Sequence, residues 1–115
     1  MRATNKTTKK RRHKKFLKAA KGYRGAGSKR YKTAKNLVEK GMVYSTIDRK
    51  NKKRTMRALW IARINAACQM NGVSYSDFIA GLKKADILID RHVLQEIANS
   101  DSEAFSKIVE AATNN

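Results

Sequence analysis

The stretch that decides the fold is Arg49-Lys50-Asn51-Lys52-Lys53-Arg54-Thr55-Met56-Arg57-Ala58-Leu59-Trp60-Ile61-Ala62-Arg63-Ile64-Asn65-Ala66-Ala67-Cys68-Gln69-Met70-Asn71-Gly72. Its first nine residues hold six basic groups and no acid. Its next thirteen are mostly apolar. No proline interrupts the run, and the first glycine in it is Gly72. One helix can therefore carry the chain from a strongly basic segment into an apolar one. On a helical wheel of about 100° per residue, the six basic groups spread over roughly 200°. A solvated surface helix interleaves both signs of charge; here the acids are missing. Leu59, Trp60, Ile61, Ile64, Ala66, Ala67, Cys68 and Met70 cover most of the circumference, which predicts a helix buried nearly all round. Asn71-Gly72 supplies the residue type that accepts a left-handed backbone and ends the helix.

Upstream, the same helix extends back to about Lys29. Between Lys29 and Asn71 the only glycine is Gly41, which marks a possible bend. Tyr31, Ala34, Val38, Met42 and Ser45 form one narrow stripe, too thin for a core and sufficient for one contact seam. Ser28 is placed to cap this helix. Before it, Lys21-Gly22-Tyr23-Arg24-Gly25-Ala26-Gly27-Ser28 reads as a break. Lys10–Lys21 reads as a short helix, and Met1–Lys9 as a flexible arm.

Downstream, Ser74-Tyr75-Ser76-Asp77 resembles a capping box opening a helix with Phe78, Ile79 and Leu82. Ala85–Asp90 is a connection. A helix from about Asp90 carries Val93, Leu94 and Ile97. Ser100 and Glu103 read as a second capping box before a helix with Phe105, Ile108 and Val109, and Ala112–Asn115 is expected to fray. No segment alternates with period two. The expected fold class is all-α, with a long basic N-terminal helical extension (residues 1–57) followed by a small C-terminal helical domain (residues 58–115).

Charge divides the chain in the same place. Residues 1–57 hold 22 Lys and Arg against Glu39 and Asp48, a net +20; residues 58–115 hold five against seven acids, a net −2. The first half is too self-repelling and too poor in apolar residues to bury a core, so it is expected to stay unstructured until counter-charges arrive. A half-chain with that charge calls for a polyanion, of which nucleic acid is the commonest. The second half is of a size that folds alone, though marginally.

Two basic clusters are the leading candidate contacts: Lys9, Lys10, Arg11, Arg12, Lys14 and Lys15 around His13, and Arg49, Lys50, Lys52, Lys53, Arg54 and Arg57. His13 reads as another nucleic-acid contact rather than a catalyst. Tyr23 lies among glycines beside Arg24, a setting in which backbone approaches phosphate and an aromatic stacks on an unpaired base. Trp60 reads as a residue of the domain core or its boundary.

Other chemistry is not legible. Cys68 is the single cysteine, which leaves neither a disulfide framework nor a cysteine zinc site. His13 and His92 are isolated, so no metal or cofactor is expected, and no nucleophile–base grouping points to an enzyme or a small-molecule substrate. The glycine-rich run has no preceding strand and no following Gly-Lys-Ser/Thr, unlike a phosphate-binding loop. No apolar run approaches a membrane span, and the N-terminus lacks the apolar core of a signal peptide. An intracellular, reducing location is expected.

Several blocks together resemble the bacterial large-subunit ribosomal protein twenty (L-twenty) family. They are Arg11-Arg12-His13-Lys14-Lys15; Ala20-Lys21-Gly22-Tyr23; Asp48-Arg49-Lys50 with Lys53-Arg54; Leu59-Trp60-Ile61-Ala62-Arg63-Ile64-Asn65-Ala66-Ala67; Asn71-Gly72-Val73-Ser74-Tyr75-Ser76 with Phe78-Ile79 and Gly81-Leu82-Lys83-Lys84-Ala85; and Ile89-Asp90-Arg91 with Val93-Leu94. They follow in order from about Arg11 to Val109. The resemblance implies direct binding to large-subunit (23S) ribosomal RNA and a role in early assembly of that subunit, apart from the chemistry of translation. It implies a place in the ribosome, in bacterial cytoplasm or an organelle of bacterial descent, beside other large-subunit proteins. In some members the C-terminal domain also binds the protein's own messenger RNA and represses its translation. Carried over, the RNA contacts are the two clusters with Lys21, Tyr23, Arg24 and Arg63. The family pattern has arginines where Gly27 and Ile47 stand here; Lys29 and Arg30 compensate for the first. The rival reading is an architectural DNA-binding protein without sequence preference.

Overall fold

The computed structural model describes residues 6–114. The expected arm before Lys6 and the terminal Asn115 lie outside them. The chain is all-α: α1 spans Lys6–Ala19, a 3-10 turn Gly25–Ser28, α2 Tyr31–Met70, α3 Tyr75–Lys84, α4 Arg91–Ser100 and α5 Ser102–Thr113. Two compact units divide at Lys50, the first running to Lys50 and the second from Asn51 on; α2 contributes to both.

In the first unit, α1 starts earlier than expected. Lys6–Lys9, read as arm, are its first turn. Nothing in those residues forbids a helix, since Lys and Arg are good helix formers and Thr is tolerated. Gly22, at φ 91°, takes the left-handed backbone that ends the segment. Ser28 does not cap α2. It closes the 3-10 turn, donating its hydroxyl to the Gly25 carbonyl at 3.1 Å, and the first α2 bond runs from the Ala34 amide to the Arg30 carbonyl at 2.8 Å.

The seam on α2 is real as far as Val38. Ala34 and Val38 are buried with Ala20, and Phe16 and Leu17 of α1 pack against them. The expectation that this half buries no core is therefore corrected on a small scale: two alanines and a valine let the helices approach. Beyond Val38 the seam opens, and Met42 is 57% exposed. α2 runs through Gly41 without interruption. A Cβ on Gly41 would stand 3.1 Å from the Tyr23 phenol oxygen, so the glycine makes room for that ring. Leu37, Val43, Tyr44 and Ile47 also remain exposed.

In the second unit, Ile64 and Cys68 of α2, Phe78 and Leu82 of α3, Leu94 of α4, and Phe105, Val109 and Ala112 of α5 form one core. Phe78 and Phe105 meet at 5.4 Å between ring centroids. Burial pushes the Cys68 thiol up to about 11, because the thiolate would lose its hydration there. α2 is not buried all round in this unit: Leu59 is 40% exposed and Met70 88% exposed. Three short helices cover one side of a helix, not its circumference, so only the Ile64–Cys68 face is sealed.

Both ends of α3 are set by short-range chemistry. Ser74 caps it, accepting from the Asp77 amide at 3.2 Å and donating to the Asp77 carboxylate at 2.7 Å. At its far end the Ile87 amide reaches back to the Leu82 carbonyl while Asp86 adopts φ 54°. The same reach-back closes α2, from Val73 to Cys68, around Gly72 at φ 74°. The second predicted capping box is displaced by one residue. Asp101 caps α5, accepting from the Ala104 amide at 3.0 Å, while Ser100 ends α4 and donates to the Glu96 carbonyl. Asp outcompetes Ser here because it holds the extended backbone between the two helices. Ala112, expected to fray, is buried opposite Gly81. A Cβ on Gly81 would lie 2.2 Å from the Ala112 carbonyl oxygen, so this glycine sets how closely α3 and α5 pack.

Candidate nucleic-acid interface

Basic side chains stay at the surface because α1 carries no acid and α2 carries only Glu39 and Asp48. Lys9, Lys10, Arg11, Arg12, Lys14 and Lys15 on α1 are all exposed, as are Lys21, Arg24, Lys29 and Arg30 around the 3-10 turn. On α2, every residue from Met42 to Leu59 is exposed, which includes Arg49, Lys50, Lys52, Lys53, Arg54 and Arg57. Among the described residues, the Lys or Arg ion pair with a carboxylate is Lys35 with Glu39, 3.8 Å apart and open to solvent. Such an exposed pair contributes about 0–1 kcal/mol. The charge on this surface is left for an external partner to neutralise.

Not every candidate is free to swing. Arg49 folds along its own helix, donating to the Ser45 hydroxyl at 2.7 Å and to the Thr46 hydroxyl at 3.2 Å. Arg63 donates to the Gln95 side-chain carbonyl at 2.8 Å. Gln95 is the buried polar residue of the second unit, so this bond holds one Arg63 nitrogen while the rest of the guanidinium stays outside. Tyr23 lies with its hydroxyl against Gly41 and remains 36% exposed. His13 is half-buried, stacked on Tyr31 at 3.6 Å between centroids and 13° between planes. Phe16 meets the same tyrosine edge-on at 6.0 Å. Trp60 is also half-buried, edge-on to His92 at 5.0 Å. It belongs to the boundary of the domain and not to its centre.

The first cluster has a shape that its composition alone did not give. Lys6, Lys9, Lys10, His13, Lys14 and Leu17 line one hollow along α1. Sequence reasoning missed Lys6 and Leu17. Their spacing from His13, seven residues before it and four after, was the available signal. At Gly27 the backbone is buried and Leu37 Cδ1 lies 2.7 Å from where a Cβ would stand. A larger residue there has to displace that leucine end.

The sequence description of ribosomal protein L20 matches residues 2–108 of this chain. The chain belongs to the ribosomal protein L20 family. The large ribosomal subunit protein bL20 of Fusobacterium nucleatum subsp. nucleatum is 53% identical over 112 residues, 97% of each chain. That of Psychrobacter cryohalolentis is 58% identical over 102 residues, 89% of this chain and 86% of its own. That of Desulfatibacillum aliphaticivorans is 56% identical over 102 residues, 89% and 88%. These L20 relatives are named as subunit proteins of the ribosome and not as enzymes. Among the described residues of this L20 chain, no helix is long and apolar enough to cross a membrane.

Proposed function

We propose that this chain is a structural component of the large ribosomal subunit that binds 23S ribosomal RNA directly and promotes early assembly of that subunit. The observation that carries this reading is the basic surface of α1 and the first part of α2, left with little internal counter-charge. Folded RNA brings phosphates close together and needs fixed positive charge between its segments. A helix with basic groups over a wide arc answers to phosphates on several sides at once, which a chain lying on one face of a duplex does not require. Phosphate contacts fix position, and side chains against unpaired bases or junction shape select the site. The helices of the first unit then gain their order together with the RNA. The acidic residues 58–115 face neighbouring large-subunit proteins, and their helical domain also takes the protein's own messenger RNA to repress translation.

Salt titration of affinity for a 23S RNA fragment tests the core of this reading. If about eight of the 22 basic residues meet phosphates, log K against log salt falls with a slope near −7, at ~0.9 per contact. Circular dichroism during the same titration follows helix formation. A slope shallower than about −3 would overturn the electrostatic reading. Equal affinity for duplex DNA would favour an architectural DNA-binding protein instead. Repression is tested by a reporter carrying the chain's own messenger leader, whose expression is expected to fall when the protein is supplied.

A further inference from the structure

The hollow on α1 has a composition unlike the rest of the basic surface. Its volume is about 390 Å³, and it lies open to solvent along α1. Four lysines rim it: Lys6, Lys9, Lys10 and Lys14. His13 and Leu17, both half-buried, complete the lining. Phosphate neutralisation alone needs no such pair; it needs ammonium groups in water. The His13 ring is held flat on Tyr31, 3.6 Å away and 13° from parallel. Tyr31 is braced in turn by the edge of Phe16 at 6.0 Å. The pairing of α1 with α2 thus sets the orientation of the His13 ring.

We infer that this hollow is a site for a single unpaired RNA nucleobase, stacked on His13 in continuation of the Tyr31–His13 pair, with the lysine rim taking the flanking phosphates. The inference rests on the RNA-binding reading and narrows it: the first cluster is a base-stacking site as well as a field of charge. His13 contributes a π-face, and its partner Tyr31 is a positioning residue. Every base has a π-face, so the site is tolerant of sequence and intolerant of base pairing, since a paired base is already stacked within its own helix.

Full-length protein is titrated at low salt with octaadenylate and with the matching abasic ribose-phosphate backbone, which carries the same charge. A 23S RNA fragment serves as the reference. The base-bearing strand is expected to bind about tenfold more tightly than the abasic one, the lower part of the range for one stacked base. His13→Ala removes that difference and His13→Phe keeps it; far-UV circular dichroism of both complexes checks that helix content is unchanged. Equal binding of the two strands by the natural chain overturns the stacking site, while 23S binding leaves the RNA reading standing. A preference for bases that survives in His13→Ala overturns it as well. Binding of the 23S fragment with no binding of either oligonucleotide does the same. Loss of all three interactions overturns the RNA reading and this site together.

Discussion

The two units are built from the same element and hold together by different means. In the first, α1 meets α2 through Ala20, Ala34 and Val38. In the second, α2 meets three helices through Ile64, Cys68, Phe78, Leu82, Leu94, Phe105, Val109 and Ala112. Small residues permit close approach but remove little apolar area from water, at ~25 cal/mol per Å². Phenylalanines and branched aliphatics remove much more. The first unit also carries nearly all the excess charge. One unit is thus held by a core of large side chains, while the other joins two highly charged helices through a small one.

The largest effect that tests this contrast is in the core. Phe105→Ala is expected to destabilise the second unit by roughly 3–5 kcal/mol, the usual cost of a buried aromatic truncation. Thermal melts of the full chain read it, and the salt slope of RNA binding should change little. A fall in melting temperature matched by a full loss of the salt slope would mean the two units are not separable.

The converse substitution comes next. Replacing Lys52, Lys53 and Arg54 together with Ala should weaken 23S RNA affinity by about tenfold or more and flatten the log–log slope by up to about 3. All three side chains are exposed, so the melt of the second unit is expected to stay where it was. A lowered melting temperature would show that these side chains support the fold.

Trp60→Ala lies between the two. A half-buried ring edge-on to His92 should cost less than a core phenylalanine, about 2 kcal/mol or below. If the melt is unmoved and RNA binding is lost, the tryptophan is a stacking residue and the boundary assignment fails. The smallest contrast is local to α5. Asp101→Ala should cost about 1 kcal/mol through the lost N-cap, whereas Ser100→Ala should stay within ~0.5 kcal/mol. Equal losses from both would restore Ser100 as a capping residue.

The reason some features were legible and others were not follows from range. The stop at Gly72, the cap at Ser74 and the heptad-like apolar positions of α3 to α5 depend on neighbours within one turn, and the sequence carries them openly. The sequence reading put a cap at Ser100, but the extended backbone falls one residue later, at Asp101. Asp86 takes a left-handed conformation usually marked by glycine, so nothing in its identity flagged it. Gly41 read as a bend because its partner, Tyr23, is eighteen positions away. Gly81 and Ala112 were invisible for the same reason, as was the degree of burial around Leu59 and Met70, which depends on how many helices arrive. At the interface, charge placed the clusters; the rings of Phe16, Tyr31 and His13 come together only when α1 and α2 pair.

Cys68 gives the second unit an internal clock. It is the chain's single thiol, fully buried, and its raised pKa keeps it protonated well above neutral pH. A thiol reagent therefore modifies it only when the unit opens, and the modification rate at saturating reagent equals the opening rate. With no other sulfhydryl in the chain, opening of this unit in the isolated protein is measurable in the natural sequence, with no label introduced.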